Sequence, residues 1–455
     1  MVRHMVNRDD QILISNKKED FLQYFIAIVI ASIILLFFCY EDLKTYTAWS
    51  LNLLDVAYEM RIYDFYMEAA QNVHNVTVQY ASGDIVGLIP WAVWNIPIWI
   101  LQYFWGMDIC DYPFMLVWSH LFLVIVLVFT FRLFIKVGDY LSDDKNTILL
   151  SGKLFLFSPF VYIAICYSGQ TDVLSAALFL LSLYMLFQGK RKKFYICAMV
   201  AYMVKPFFFL AYIAIILLEE KNILKIFAKI LGILSLNWVY SLIFWQAPMY
   251  QFSRTQGPTG RMIQEILGPG FSSLNGLTAC SVVIGLIIVY FAAYAIKPEG
   301  ERKPQCIVYF SMLPILVYFM LVEFEHYRLL ILALLTGLVI LCKKEYLRIN
   351  VVLLTVMNVS GLICNIAGSS YLFNKRYIAE SVLDSVISPL KQINYQGGIQ
   401  SNIMELFPWF EELAMCMAAV FVVAAIAFIV LNRPGQKPVS KLINGQVARG
   451  WVWIN

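Results

Sequence analysis

Charge is what this sequence has least of: Asp, Glu, Lys and Arg make up 14% of its 455 residues, against roughly one-quarter in a soluble globular domain. Water is therefore not its main solvent. Histidine is equally scarce, with four in the chain. No His-Glu-x-x-His, Walker or Gly-x-Gly-x-x-Gly pattern occurs, which argues against a zinc protease, an ATP-driven pump or a dinucleotide enzyme. The nine cysteines are scattered without a Cys-x-x-Cys pair, so they indicate neither a zinc site nor a disulfide framework. Net charge is +4, but the basic residues form short clusters rather than a continuous face, so nucleic acid is not an expected partner.

What the chain does have is apolar length. Hydrophobic residues make up 61%, and runs near the ~20 residues that cross a bilayer core recur at 21–40, 114–135, 277–296 and 409–431. The pattern predicts an all-α, polytopic transmembrane protein in contact with membrane lipids. The first span follows Lys17 and Lys18 and lacks a small-residue cleavage site; it reads as a permanent anchor rather than a signal peptide. No repeat, low-complexity segment or separate soluble domain is evident.

Basic clusters set the expected topology, because cytoplasmic loops carry excess Lys and Arg. Lys17-Lys18 and Lys190-Arg191-Lys192-Lys193 should both be inside, so an even number of crossings separates them. Residues 21–40, 113–136, 148–167 and 172–188 supply four. The stretch Ile85 to Trp105, with Pro90, Pro97 and four tryptophans, would be a fifth and is expected to be juxtamembrane or re-entrant.

Two short pieces, 194–205 and 207–218, meet at Lys205-Pro206. Spans at 230–246, 278–296, 305–322, 327–342, 349–367 and 409–431 bring the expected total to about twelve. The scheme comprises a cytoplasmic segment 1–20, a membrane domain 21–432 and a cytoplasmic tail 433–455. External loops are 41–111, 247–277 and 368–408. Nine of the 34 Lys and Arg residues then fall outside, consistent with both termini in the cytoplasm of a cell-membrane protein.

Ionisable groups at a membrane are costly and so are candidates for function. Asp42 and Lys44 follow the first span, Gly169-Gln170-Thr171-Asp172 opens another, Lys205 tops the short pair, and His326, Tyr327 and Arg328 join two spans. All are expected near the external interface. A sugar transferase with a polyprenyl-phosphate donor needs a carboxylate to deprotonate the acceptor hydroxyl and cations to stabilise the departing phosphate. Asp42 and Asp172 are the candidate carboxylates; Lys205, Arg328, Lys44 and Arg61 are the candidate cations. Arg254 and Arg261, flanking the Gly257-Pro258 turn, would steer an anionic headgroup.

Asp42-Leu43-Lys44-Thr45-Tyr46-Thr47-Ala48-Trp49 with Phe65-Tyr66, then Tyr167-Ser168-Gly169-Gln170-Thr171-Asp172 and Ala201-Tyr202-Met203-Val204-Lys205-Pro206, resemble elements of bacterial GT-C glycosyltransferases similar to GPI mannosyltransferases. Glu325-His326-Tyr327-Arg328 lies where such proteins often carry a His-Glu-Arg-Tyr-like run. Tyr80-Ala81-Ser82-Gly83 replaces the family's usual Tyr-Pro-Pro-Gly. The resemblance covers about residues 40 to 220.

It implies a GT-C fold and an inverting transferase that moves a monosaccharide from a polyprenyl-phosphate donor to a glycan, lipid or protein acceptor. By carry-over, Asp42 would be the general base or its orienting carboxylate, and Asp172 a second site carboxylate. Lys205, Arg328, His326, Lys44 and Arg61 would face the donor phosphate; Gln170, Tyr46, Arg254 and Arg261 would contact substrate. The two carboxylates would also suit a divalent cation, and metal dependence stays open.

Plainer roles stand beside these. Asp42 would be a solvated helix-end carboxylate, and Asp172 would favour a helix N-terminus capped by Thr171. Lys205 would snorkel toward headgroups, and Arg328 would pair with Glu323 or Glu325. Two other functions also remain: a lipid or sugar transporter or flippase, and a polysaccharide polymerase or ligase. Transporters tend to place ionisable sites at the midplane within inverted repeats, whereas these charges gather at span ends.

Overall fold

A helix that is apolar on every face stays folded only where other helices or lipid surround it, and most of the long helices among the described residues are of this kind. The computed structural model describes residues 41–74, 76–77, 85–109, 111–268, 270–272, 278–298, 300–322, 326–368 and 406–434, together with Ile26, Val29 and Ile30. Most of the expected first span 21–40, the segment 1–20, Asn75, most of the loop 368–408 and the tail from residue 435 lie outside the described residues.

The principal helices are α1 (Glu41–Tyr58), α2 (Ile85–Trp105), α3 (Pro113–Gly138), α4 (Lys145–Leu156), α5 (Asp172–Phe187), α6 (Arg191–Val204), α7 (Phe209–Glu219) and α8 (Ile223–Phe244). They continue with α9 (Tyr250–Gln256), α10 (Pro258–Leu267), α11 (Ser281–Ala295), α12 (Lys303–Leu321), α13 (Leu329–Leu341), α14 (Leu347–Gly368) and α15 (Phe410–Leu431). Two small antiparallel hairpins, Asn72–Val73 with Val76–Thr77 and Gly270–Ser272 with Thr278–Cys280, are the departures from helix among the described residues.

Among the described residues, six helices are long and apolar enough to cross a membrane: α2, α3, α8, α12, α14 and α15. A seventh is possible by the same measure if α4 and the following segment to Cys166 count as one span bent by 47°. The break falls at Ser158-Pro159, as expected where proline removes a helical donor. Helices α5, α7, α11 and α13 are apolar but shorter. Ile85 to Trp105, expected as a juxtamembrane or re-entrant segment, is one continuous helix despite Pro90 and Pro97, with the length and composition of a span.

All thirteen residues of α13 are buried, as is the run Cys306 to Phe319 of α12, so these two helices form the centre. By contrast, α8 leaves Leu224, Phe227 and Leu242 exposed and α11 leaves Ile287, Ile288 and Phe291, the faces expected to meet lipid.

Helices α1 and α2 run side by side in the same direction. Tyr46 stacks on Trp91 at 5.4 Å, Asn95 donates to Ser50 Oγ at 2.7 Å and Trp99 donates to Asp55 at 2.7 Å. Helix α3 joins them through Ser119, whose Oγ accepts from Thr47, Trp91 and Asn95.

The basic turns meet at one end. Lys221 Nζ donates to the carbonyls of Leu217, Ala293, Tyr294 and Ile296, tying the C-termini of α7 and α11 where a cation suits the helix dipole. Arg191 and Lys303 both pair with Glu219, and Lys343 donates to Leu431 O.

Replacing Lys221 by Met keeps the stem and removes the donor from four carbonyls. Lys221→Met is expected to lower the thermal midpoint of the detergent-solubilised protein, in line with the ~1–3 kcal/mol cost of leaving buried polar groups unsatisfied. An unchanged midpoint in circular-dichroism melts would show that this tie is dispensable.

Candidate functional site

Three local features bring distant polar residues to the end of the bundle opposite the basic turns. The first is a π-helical turn, Ile163–Tyr167, between the α4 break and α5. The buried His120 ring is hydrogen-bonded through Nε2 to Ile165 O, and the N–H of Gln170 reaches Ala164 O.

The second is Gly169, at φ +62. A Cβ there would lie 2.9 Å from Leu43 Cβ, so glycine is what lets the start of α1 approach this turn. The third is Pro206. Proline disfavours the helical conformation in the residue before it; Lys205 is extended, at φ −155 and ψ 130, and α6 stops there.

The outcome is a connected group. Gln170 Nε2 donates to Asp42 Oδ2, and Gln170 Oε1 accepts from Lys205 Nζ at 3.3 Å. The same ammonium lies 3.5 Å from Asp172 Oδ2. That is an ion-pair distance, but neither Asp172 oxygen has a hydrogen-bond partner. Asp172 is 0% exposed, Lys205 4% and Gln170 3%, while Asp42 is half-buried. Burial opposes the Lys205 charge, and Asp172 is the counter-charge placed against it. Tyr46, one helical turn after Asp42, is buried beside them, and the Tyr327 ring lies 5.6 Å from Lys205 Nζ.

Arg328 adjoins this group. It is 3% exposed, its guanidinium carbon stands 4.4 Å from the Phe207 ring centre, and its charge interacts with Asp172. Its carboxylate partner is Glu265 of α10: Nη1 donates to Oε1 at 3.1 Å and Oε2 at 3.0 Å, and to Tyr318 OH at 2.9 Å. Tyr318 OH also donates to Glu265.

Other expected site residues stand elsewhere. Arg61 is tied by Glu59, Asp64 and Glu68 beyond the far end of α1. Lys44, two residues after Asp42, points roughly 200° around the helix from it. Arg254 donates to Asn237, Ser241 and Tyr250, a polar group on α8 and α9 separate from Lys205. Arg261 is exposed on α10. The backbone of His326 opens a short 3-10 turn, His326–Arg328; its side chain, with Glu323 and Glu325, lies outside the described residues. Thr171 makes no side-chain cap to α5.

No known protein family, characterised protein or solved structure matches this chain.

Glu265, Tyr318 and Phe207 are the members of the site that the sequence did not mark. The Glu265–Arg328 pair joins positions 63 apart, and nothing local to either announces it. Among the described residues no group of three or more His, Cys, Asp or Glu side chains is placed to hold a metal ion.

Removing one partner of a buried ion pair leaves an uncompensated charge, at a cost of about 3–5 kcal/mol. Lys205→Met should therefore lower the thermal midpoint markedly, and the double variant Lys205→Met/Asp172→Leu should recover most of the loss. A double variant no more stable than the single one would mean that the pairing is not what Lys205 contributes.

Proposed function

We propose that the protein is an integral membrane glycosyltransferase of GT-C type that transfers a monosaccharide from a polyprenyl-phosphate donor to an acceptor hydroxyl at the external face, with inversion. The observation that supports this is the Asp42–Gln170–Lys205–Asp172 group with Arg328 beside it: a half-buried carboxylate next to two buried cations, at the end of the bundle away from the basic turns. With those turns cytoplasmic by the charge rule, the group faces outward; in this reading α2, although of span length, stays on the external side and residues 21–40 cross, giving about twelve passes, several of them short.

In this reading Asp42 accepts the proton of the acceptor hydroxyl as its oxygen attacks the anomeric carbon. The bond from that carbon to the phosphate oxygen breaks, and the phosphate leaves with the electron pair. Lys205 and Arg328 stabilise the negative charge that develops there. Gln170, donating to Asp42 and accepting from Lys205, orients the base without neutralising it. Asp172 keeps Lys205 charged and in place. The grouping of the charges at a bundle end fits transfer chemistry better than a transporter's midplane site.

Purified protein incubated with a panel of polyprenyl-phosphate monosaccharides and an extracted envelope acceptor should transfer one of them. Asp42→Asn should lower turnover by about 10²–10⁴-fold, the usual contribution of a general base, with donor affinity nearly unchanged. Transfer at the wild-type rate in Asp42→Asn, measured by radiolabel incorporation, would remove Asp42 from the role.

A further inference from the structure

The ligand of Arg328 is an unusual one. Glu265 reaches it from α10, a ten-residue helix of which only Met262 is buried, and the Glu265 side chain remains 24% exposed while Arg328 is 3% exposed. The pairing is also incomplete. A single nitrogen, Nη1, serves both carboxylate oxygens and Tyr318 OH, in place of the two-pronged contact that guanidinium and carboxylate favour. Arg328 Nε is buried with no acceptor. A buried guanidinium thus has an unfilled hydrogen-bonding position and a negative partner that solvent can reach.

Resting on the transferase reading above, we infer that Glu265 is the resting ligand of the donor-phosphate site and is exchanged for the phosphate when the donor binds, α10 moving out with it. A phosphate monoester or diester brings more acceptor oxygens than a carboxylate and satisfies Nε as well as Nη1. A neutral lipid cannot make the exchange, because displacing Glu265 without supplying a negative charge would leave Arg328 buried and unpaired. Glu265 therefore sets a requirement for an anionic headgroup by opposing every ligand that lacks one.

The surrounding backbone suits such a movement. Helices α9 and α10 meet at Gly257, and a Cβ on Gly260 would fall 2.1 Å from Thr255 O, so the two helices form a tight corner that only glycine allows. The residue before α9, Met249, takes a left-handed conformation at φ 61, and Gly268 follows α10. Helix α9 is held by the buried Tyr250 and by Arg254, whereas α10 buries Met262 alone and so belongs to the low-stability parts of a structure that open most readily.

The test uses the full chain in detergent micelles, with hydrogen exchange of residues 258–267 and equilibrium binding as readouts. The probes are a long-chain polyprenyl phosphate, the matching polyprenol and inorganic phosphate. Polyprenyl phosphate should raise exchange in 258–267 of the wild type, and polyprenol should not. Glu265→Gln should show raised exchange without ligand and bind polyprenyl phosphate about tenfold more tightly, equivalent to ~1.4 kcal/mol. Glu265→Ala should do the same, which separates loss of charge from the residual hydrogen bonding of the glutamine. Exchange unaltered by saturating polyprenyl phosphate, or binding no tighter in either variant, would overturn the inference. Tighter binding of inorganic phosphate in both variants, with no preference for polyprenyl phosphate over polyprenol, would uphold the exchange at Arg328 and reject the lipid-linked donor.

Discussion

The burial of Lys205 against Asp172 is the constraint around which this end of the molecule is organised. Two charges removed from water are tolerated only when each compensates the other, and here the compensation draws on four parts of the chain. Asp172 begins α5, Lys205 ends α6, Gln170 comes from the π-helical turn and Asp42 from the start of α1. None of these elements can shift far without separating a charge from its partner. The polar group thereby fixes how the starts of α1 and α5, the π-helical turn and the end of α6 meet, much as an apolar core would, but with directional contacts in place of area.

The two ends of the bundle solve the same electrostatic problem differently. At the basic end, Lys221 is neutralised by backbone carbonyls at two helix C-termini, and Glu219 serves both Arg191 and Lys303; those charges are spent on holding helices together. At the other end, Asp172 retains two oxygens without hydrogen bonds and Arg328 retains an unpaired Nε. Glu219 Oε1 at the basic end is also without a hydrogen bond, so what marks the site is that two neighbouring charged residues, Asp172 and Arg328, both keep open polar atoms; Arg61, surrounded by three acids, belongs with the structural kind.

Much of the fold was legible because bilayer-scale apolar runs and their breaks are local properties. The expected pieces 409–431, 349–367 and 305–322 differ from α15, α14 and α12 by a few residues at their ends. Lys205 could be singled out because Pro206 marks a helix end, and Gln170 because the run Gly169 to Asp172 opens a span and resembles a family element. What could not be read was long-range. Trp91 has the look of an interfacial residue, yet it is fully buried because Tyr46 stacks on it and Ser119 accepts its N–H. Pro90 and Pro97 with the four tryptophans suggested a juxtamembrane or re-entrant segment, and the stretch is one unbroken helix that runs through both prolines. The partner of Arg328 lay 63 positions upstream, on a helix whose composition is that of any amphipathic surface segment.

Complete enclosure of α13 has a consequence for how the chain relates to its bilayer. A helix that touches lipid must match the thickness of the hydrocarbon or tilt and thin it. Thirteen residues, about 20 Å at the α-helical rise, would fall well short. Because protein surrounds every one of those residues, α13 answers to the dimensions of its neighbours alone, and the long outer helices absorb any difference between one membrane and another.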